Sequence, residues 1–125
     1  MDLGLRNNAA FQFSKDSGRL LENLVYIELR RRNKQVYYYK TTNNLEIDFA
    51  VKDKNKISSL IQVTVSLNDF SVRERELKSL VKGLEENNLK DGLILTEDSK
   101  EDIVFKGFKI KVRPIWKWLL EDENN

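Results

Sequence analysis

The stretch from Ile57 to Thr96 constrains the fold of this 125-residue chain more than any other. In Ile57–Ser66 the apolar side chains Ile61, Val63 and Val65 share one face, while Gln62, Thr64 and Ser66 share the other. That two-residue period belongs to a pleated strand. Asp69–Asn88 then places Val72, Leu77, Leu80, Val81 and Leu84 at helical spacing, with Asn68 or Asp69 as the cap. Gly92–Thr96 is nearly continuous in apolar residues, as strands buried on both faces are. A strand, a long helix and a second strand form a crossover unit, so part of the sheet is predicted to be parallel.

The flanking segments fill out the architecture. Asp16 or Ser17 can cap a helix running to about Arg32, with Leu20, Leu21, Leu24, Val25 and Leu29 as its stripe and Asn33 as a left-handed stop. Gln35–Lys40 is rich in Val and Tyr, and Thr41–Asn44 is turn-forming. Glu46–Lys52 alternates, with Ile47, Phe49 and Val51 on one side and Glu46, Asp48, Ala50 and Lys52 on the other. Glu97–Asp102 reads as an acidic loop. Phe108–Arg113 reads as a strand ended by Pro114, and Ile115–Glu121 as a terminal helix with Trp116 and Trp118 as a core plug. The order α-β-β-β-α-β-β-α predicts a three-layer α/β/α sandwich with a small mixed sheet. A lead-in over 1–15, a single domain over 16–120 and an acidic tail over 121–125 are expected.

Composition removes whole classes of chemistry. With no His there is no imidazole base, and with no Cys there is no thiolate nucleophile, disulfide or zinc cluster. A metal, if used, would be a hard ion held by oxygen, which means Mg²⁺ or Mn²⁺. Hydrophobic residues make up 40% of the chain, enough for a core. No apolar run approaches the roughly 20 residues that span a bilayer, and the first residues lack a secretory pattern. These features, with the absence of Cys, fit a cytoplasmic protein.

Charge is nearly balanced, with 22 Lys and Arg against 20 Asp and Glu, so its distribution carries the information. The densest positive stretch is Arg30, Arg31, Arg32 and Lys34 through Lys40, interleaved with Tyr37, Tyr38 and Tyr39. One reading is phosphate contact beside a stacking surface, hence DNA as a partner. The other is a helix end whose cations complement the dipole, followed by an aromatic strand.

The candidate site is a convergence of Glu22 on the first helix, Asp48 on the second strand, and Gln62 and Thr64 on the third. If the second and third strands form a hairpin, Asp48 can sit beside Gln62 and Thr64 on one face, and a covering helix can lower Glu22 towards them. Carboxylates converging with an amide oxygen make an oxygen cage for Mg²⁺ or Mn²⁺.

Helix-Glu, hairpin-Asp and an x-Val-x triplet followed by a helix resemble the restriction-endonuclease-like (PD-(D/E)XK) superfamily. Gly18-Arg19-Leu20-Leu21-Glu22-Asn23, Val36-Tyr37-Tyr38, Glu46-Ile47-Asp48-Phe49, Ile61-Gln62-Val63 and Arg75-Glu76-Leu77 resemble the C-terminal domain of prokaryotic AAA+-type ATPases. The resemblance spans about residues 2–97. It implies metal-dependent DNA cleavage of the kind shown by junction resolvases, with Glu22, Asp48 and Gln62 as metal ligands and Thr64 at the place of the catalytic lysine. It also implies an ATPase domain or protein partner, and dimers are common among such relatives. Gln62 supplies no charge where the pattern has an acid, and Thr64 cannot replace an ammonium group aimed at the transition state. Lys52 lies on the Asp48 strand but further along, and Lys78 is on the second helix. Two functions therefore stand open at this stage. One is a nuclease-like domain with weakened or lost activity; the other is a non-catalytic nucleic-acid- or protein-binding module. No Gly-Lys-Ser/Thr phosphate loop is present, so these residues do not hydrolyse nucleotide by that route.

Overall fold

A computed structural model describes residues 14–121. The elements run α1 (Ser14–Arg31), β1 (Gln35–Lys40), β2 (Glu46–Asp53), β3 (Lys56–Val63), α2 (Phe70–Glu86), β4 (Asp91–Thr96), β5 (Glu101–Phe105), β6 (Phe108–Pro114) and α3 (Ile115–Leu120). The six strands form one sheet in the order β1-β2-β3-β4-β6-β5. β3 with β4 and β4 with β6 are parallel pairs, and the outer pairs are antiparallel. The predicted crossover is therefore present, with α2 carrying the chain from β3 to β4.

Helices cover both faces. On one, Leu77, Leu80, Val81 and Leu84 of α2 pack on Ile47, Ala50, Leu60, Ile94 and Ile110. On the other, Leu21, Val25 and Leu29 of α1 and Ile115 and Trp118 of α3 pack on Val51, Ile61, Val63 and Leu95. The domain is a small α/β sandwich with a mixed sheet between helical layers. Local signals explain its boundaries. The Asp69 carboxylate accepts the Ser71 and Val72 N–H groups at the start of α2. Asn33 has φ 63°, the left-handed stop expected after α1.

Four expectations need correction. The acidic stretch after β4 is not wholly loop, because Glu101–Phe105 forms edge strand β5 against β6. α1 begins at Ser14, inside the expected lead-in; residues 1–13 of that lead-in, and 122–125 of the acidic tail, lie outside the described residues. The two tryptophans part ways, Trp118 buried in the core and Trp116 half exposed. Finally, strict alternation fails in β2. Between Tyr37↔Ala50 and Tyr39↔Ile47, β1 advances two residues while β2 advances three. Asp48 and Phe49 thus oppose Tyr38 in a β-bulge. Ile47 and Ala50 face α2, whereas Phe49 and Val51 face α1.

Close packing of α2 depends on Gly83. A Cβ there would overlap Ile47 Cδ1 and crowd Leu60 Cδ1 at 2.9 Å. In an exposed helix Gly→Ala gains about 1 kcal/mol. Here overpacking should outweigh that gain. Gly83→Ala is expected to lower stability by about 1–3 kcal/mol, measured by urea unfolding; an increase would refute this packing account.

Candidate functional site

Asp48 is the centre of the site because the sheet splits beside it. The paired register of β2 and β3 ends at Phe49↔Ile61, and β3 then continues with β4, where Thr64 N–H donates to the Leu95 carbonyl at 3.0 Å. Two side chains take over where the β2–β3 ladder stops. Asp48 Oδ2 accepts the Val63 N–H at 2.8 Å, and Gln62 Oε1 accepts the Asp48 N–H at 2.9 Å. Buried backbone donors need partners, and these two bonds supply them.

A groove of about 670 Å³ opens at this split, between the first turns of α1 and of α2. Glu22, Asp48, Thr64 and Glu76 line it, together with Arg19 and Arg75. Burial pushes the Asp48 carboxyl up to about 7, against the pull of the Val63 N–H, and the charges of Glu22, Glu76 and Glu46 add to the rise. Burial likewise raises the Glu76 carboxyl, although Arg75 lies 3.4 Å from its Oε2. Among the described residues, none gives the buried Glu76 Oε1 a hydrogen bond. The groove thus gathers acids that repel one another.

The structure brings Glu22, Asp48 and Thr64 to this groove and leaves Gln62 out. Gln62 is 2% exposed, and its amide turns back on β2, with Nε2 donating to the Glu46 carbonyl at 3.4 Å. The Thr64 hydroxyl donates to the Ser66 carbonyl at 3.4 Å. Glu76 is the residue that the site reading missed. Its signal was its spacing, because Val72, Glu76 and Leu80 recur every four residues and set Glu76 within the buried side of α2. The two lysines considered as substitutes do not line the groove; Lys52 sits over the Tyr37 ring at 4.7 Å, and Lys78 is exposed.

The divalent ion implied by the resemblance requires several oxygen donors around one point. Among the described residues, no three acidic side chains are gathered to hold a metal ion. The Gln62 oxygen is already taken by the Asp48 N–H. Of the expected set, Glu22 and Asp48 line the groove and Gln62 does not.

The basic cluster also differs from its first reading. Glu28, buried on α1, receives Arg31 Nε and Nη2 at 3.0 and 2.7 Å and Arg32 Nε at 2.7 Å. Both guanidinium groups hold the Glu28 carboxyl well below the usual range, at about 2. Arg32 also donates to the Trp118 and Glu121 carbonyls and stacks 4.6 Å from the Trp118 ring centre. It is a tie between α1 and α3, closed to phosphate. Arg30, Lys34 and Lys40 are exposed.

Fold and groove together define an α/β sandwich domain with an acid-lined split in its sheet. The chain belongs to the DUF4143 family, a domain of unknown function, which matches residues 17–118. It is also 39% identical over 123 residues to the uncharacterized protein MJ1544 of Methanocaldococcus jannaschii, covering 90% of this chain and 27% of that protein. The chain thus spans about a quarter of that relative's length. No helix among the described residues is long and apolar enough to cross a membrane.

The raised Asp48 carboxyl has a defined consequence for stability. The unfolded chain ionises it near 3.8, while the folded protein keeps the proton to about 7. Between those values the native state binds more protons, so stability falls as pH rises through that window. From pH 5 to 8 the loss should be on the order of 2–3 kcal/mol. Asp48→Asn should remove most of that decline and be the more stable form at pH 8. Parallel pH–stability curves for the two proteins in denaturant would show that Asp48 is not the titrating group.

Proposed function

We propose that this domain is a restriction-endonuclease-like scaffold, of the type carried C-terminally by AAA+-type ATPases, in which phosphodiester cleavage has lapsed and binding remains. The scaffold reading is supported by the position of Glu22, Asp48 and the Gln62-Val63-Thr64 triplet around one split in the sheet. The 27% coverage of MJ1544 leaves room in that relative for a further domain.

The observation that carries the lapse is the engagement of Gln62. Its oxygen is spent on the Asp48 backbone, and Thr64 brings a neutral hydroxyl where cleavage needs a cation. Phosphoryl chemistry relies on positive charge around the transferred group. This groove instead sets Glu22, Asp48, Asp69 and Glu76 against Arg19 and Arg75. A phosphate entering it would meet excess negative charge. The enclosure of Arg32 by Glu28 and the end of α3, which removes one cation of the basic stretch from phosphate contact, further favours a protein partner over DNA.

The test uses duplex, flap and four-way-junction DNA with Mg²⁺ or Mn²⁺. Wild-type protein should leave all three uncut. The double variant Gln62→Glu, Thr64→Lys should gain cleavage by about a hundredfold over background, as restoring one transition-state contact can do. Cleavage by wild type that vanishes in Asp48→Asn would overturn the lapse.

A further inference from the structure

A second groove, of about 720 Å³, lies on the α1/α3 side of the sheet, beside the C-terminal turns of both helices. Its lining includes Ile61, Leu93 and Trp118, with Lys34, Lys109 and Lys111 among its charged residues. Nothing in the acid-lined site uses it. A parallel pair of strands is ordinarily covered on both faces. Here β4 and β6 are such a pair, yet Lys109 and Lys111 of β6 are exposed. β6 is an inner strand, flanked by β4 and β5, so these lysines do not serve to blunt a sheet edge.

Charge limits what could cover this face. Five cations line the groove, Arg32, Lys34, Lys109, Lys111 and Arg113, against the two acids Asp91 and Glu121. Arg32 is held by Glu28, and Arg113 by Asp102 at 2.9 Å. Among the described residues neither Lys109 nor Lys111 makes an ion pair. They occupy alternate positions of one strand, so their stems are roughly 7 Å apart on the same face. Carboxylates at alternate positions of an extended peptide share that spacing. Leu93 pairs in register with Lys111 and adds an apolar contact beside the charge.

We propose that this groove docks an extended acidic segment of a protein partner, its alternate carboxylates meeting Lys109 and Lys111. The proposal rests on the reading of the domain as a non-catalytic binding module and names the chemistry of what it binds. Single-stranded nucleic acid fits less well, because it relies on exposed aromatic faces for stacking. The groove's aromatic, Trp118, is 6% exposed and carries the Arg32 guanidinium on its ring. The exposed Tyr37 and Tyr38 are on β1, at the far edge of the sheet.

The test is fluorescence anisotropy on the full chain, with a labelled peptide alternating Glu with Leu and Ser, a Lys-for-Glu control peptide, and labelled single- and double-stranded DNA. The acidic peptide should bind saturably and weaken as salt rises. Lys109→Glu with Lys111→Glu should reduce its affinity at least about tenfold, while Lys100→Glu, outside the groove, should not. The milder Lys109→Ala, Lys111→Ala pair gives the same reading if charge reversal unfolds the protein. No binding of the acidic peptide, equal loss in Lys100→Glu, or tighter DNA binding that falls with the same lysines would overturn the proposal. The DNA cleavage assay is independent of these lysines, so failure here and failure of the lapsed-nuclease reading are separable.

Discussion

The exchange of hydrogen bonds between Asp48, Gln62 and the strand backbones governs the architecture of the site. β3 is antiparallel to β2 on one side and parallel to β4 on the other, and it cannot follow both neighbours past Ile61. Where it leaves β2, buried N–H groups would lose their acceptors, at a cost of about 1–3 kcal/mol each. The Asp48 carboxylate and the Gln62 amide oxygen accept those protons instead. This makes sense of the neutral residue at 62. A carboxylate there would add another negative charge beside Asp48, which already shares its surroundings with Glu22, Glu46 and Glu76. The neutral amide at 62 is thus the group that lets the split close on itself.

A second constraint sits at the far end of α1. Glu28 has little exposed surface, and Arg31 and Arg32 pair with its carboxylate within about one helical turn. Arg32 then reaches α3 through two carbonyls and the Trp118 ring. One cation of the stretch that reads most like a phosphate surface is thus spent on joining two helices of the same layer. Their position at the carbonyl end of α1 also suits the helix dipole.

Much of the fold was legible because it rests on local rules. The α2 stripe, its Asp69 cap, the Asn33 stop and the crossover all follow from spacing or backbone preference within a few residues. What escaped was pairwise. The bulge at Asp48 and Phe49 exists only in relation to Tyr38 on another strand, so alternation along β2 alone assigned Phe49 to the wrong side of Ile47. β5 is short and acidic at its start, and it becomes a strand through its pairing with β6. Leu20 and Leu24 match the α1 period but flank its buried face, where they remain partly exposed beside the fully buried Val25. At the site, Glu22 and Asp48 were readable as acids on a helix and a hairpin, whereas the inward turn of Gln62 depends on where β3 parts from β2.

The two grooves have opposite character, and this bears on the proposed docking of an acidic segment. One is lined by Glu22, Asp48 and Glu76 near the first turns of α1; the other is bordered by Lys109 and Lys111 near its last turn. A uniformly anionic strand lying along α1 would gain contact at the basic end and lose it at the acidic end. A peptide carries no such uniform charge, and its acidic residues can be confined to the part that meets the lysines. Opposed charge at the two ends of α1 would therefore act on register as well as affinity, since sliding the ligand towards Asp48 brings like charges together. In this way the acid-lined split would limit where a bound segment lies.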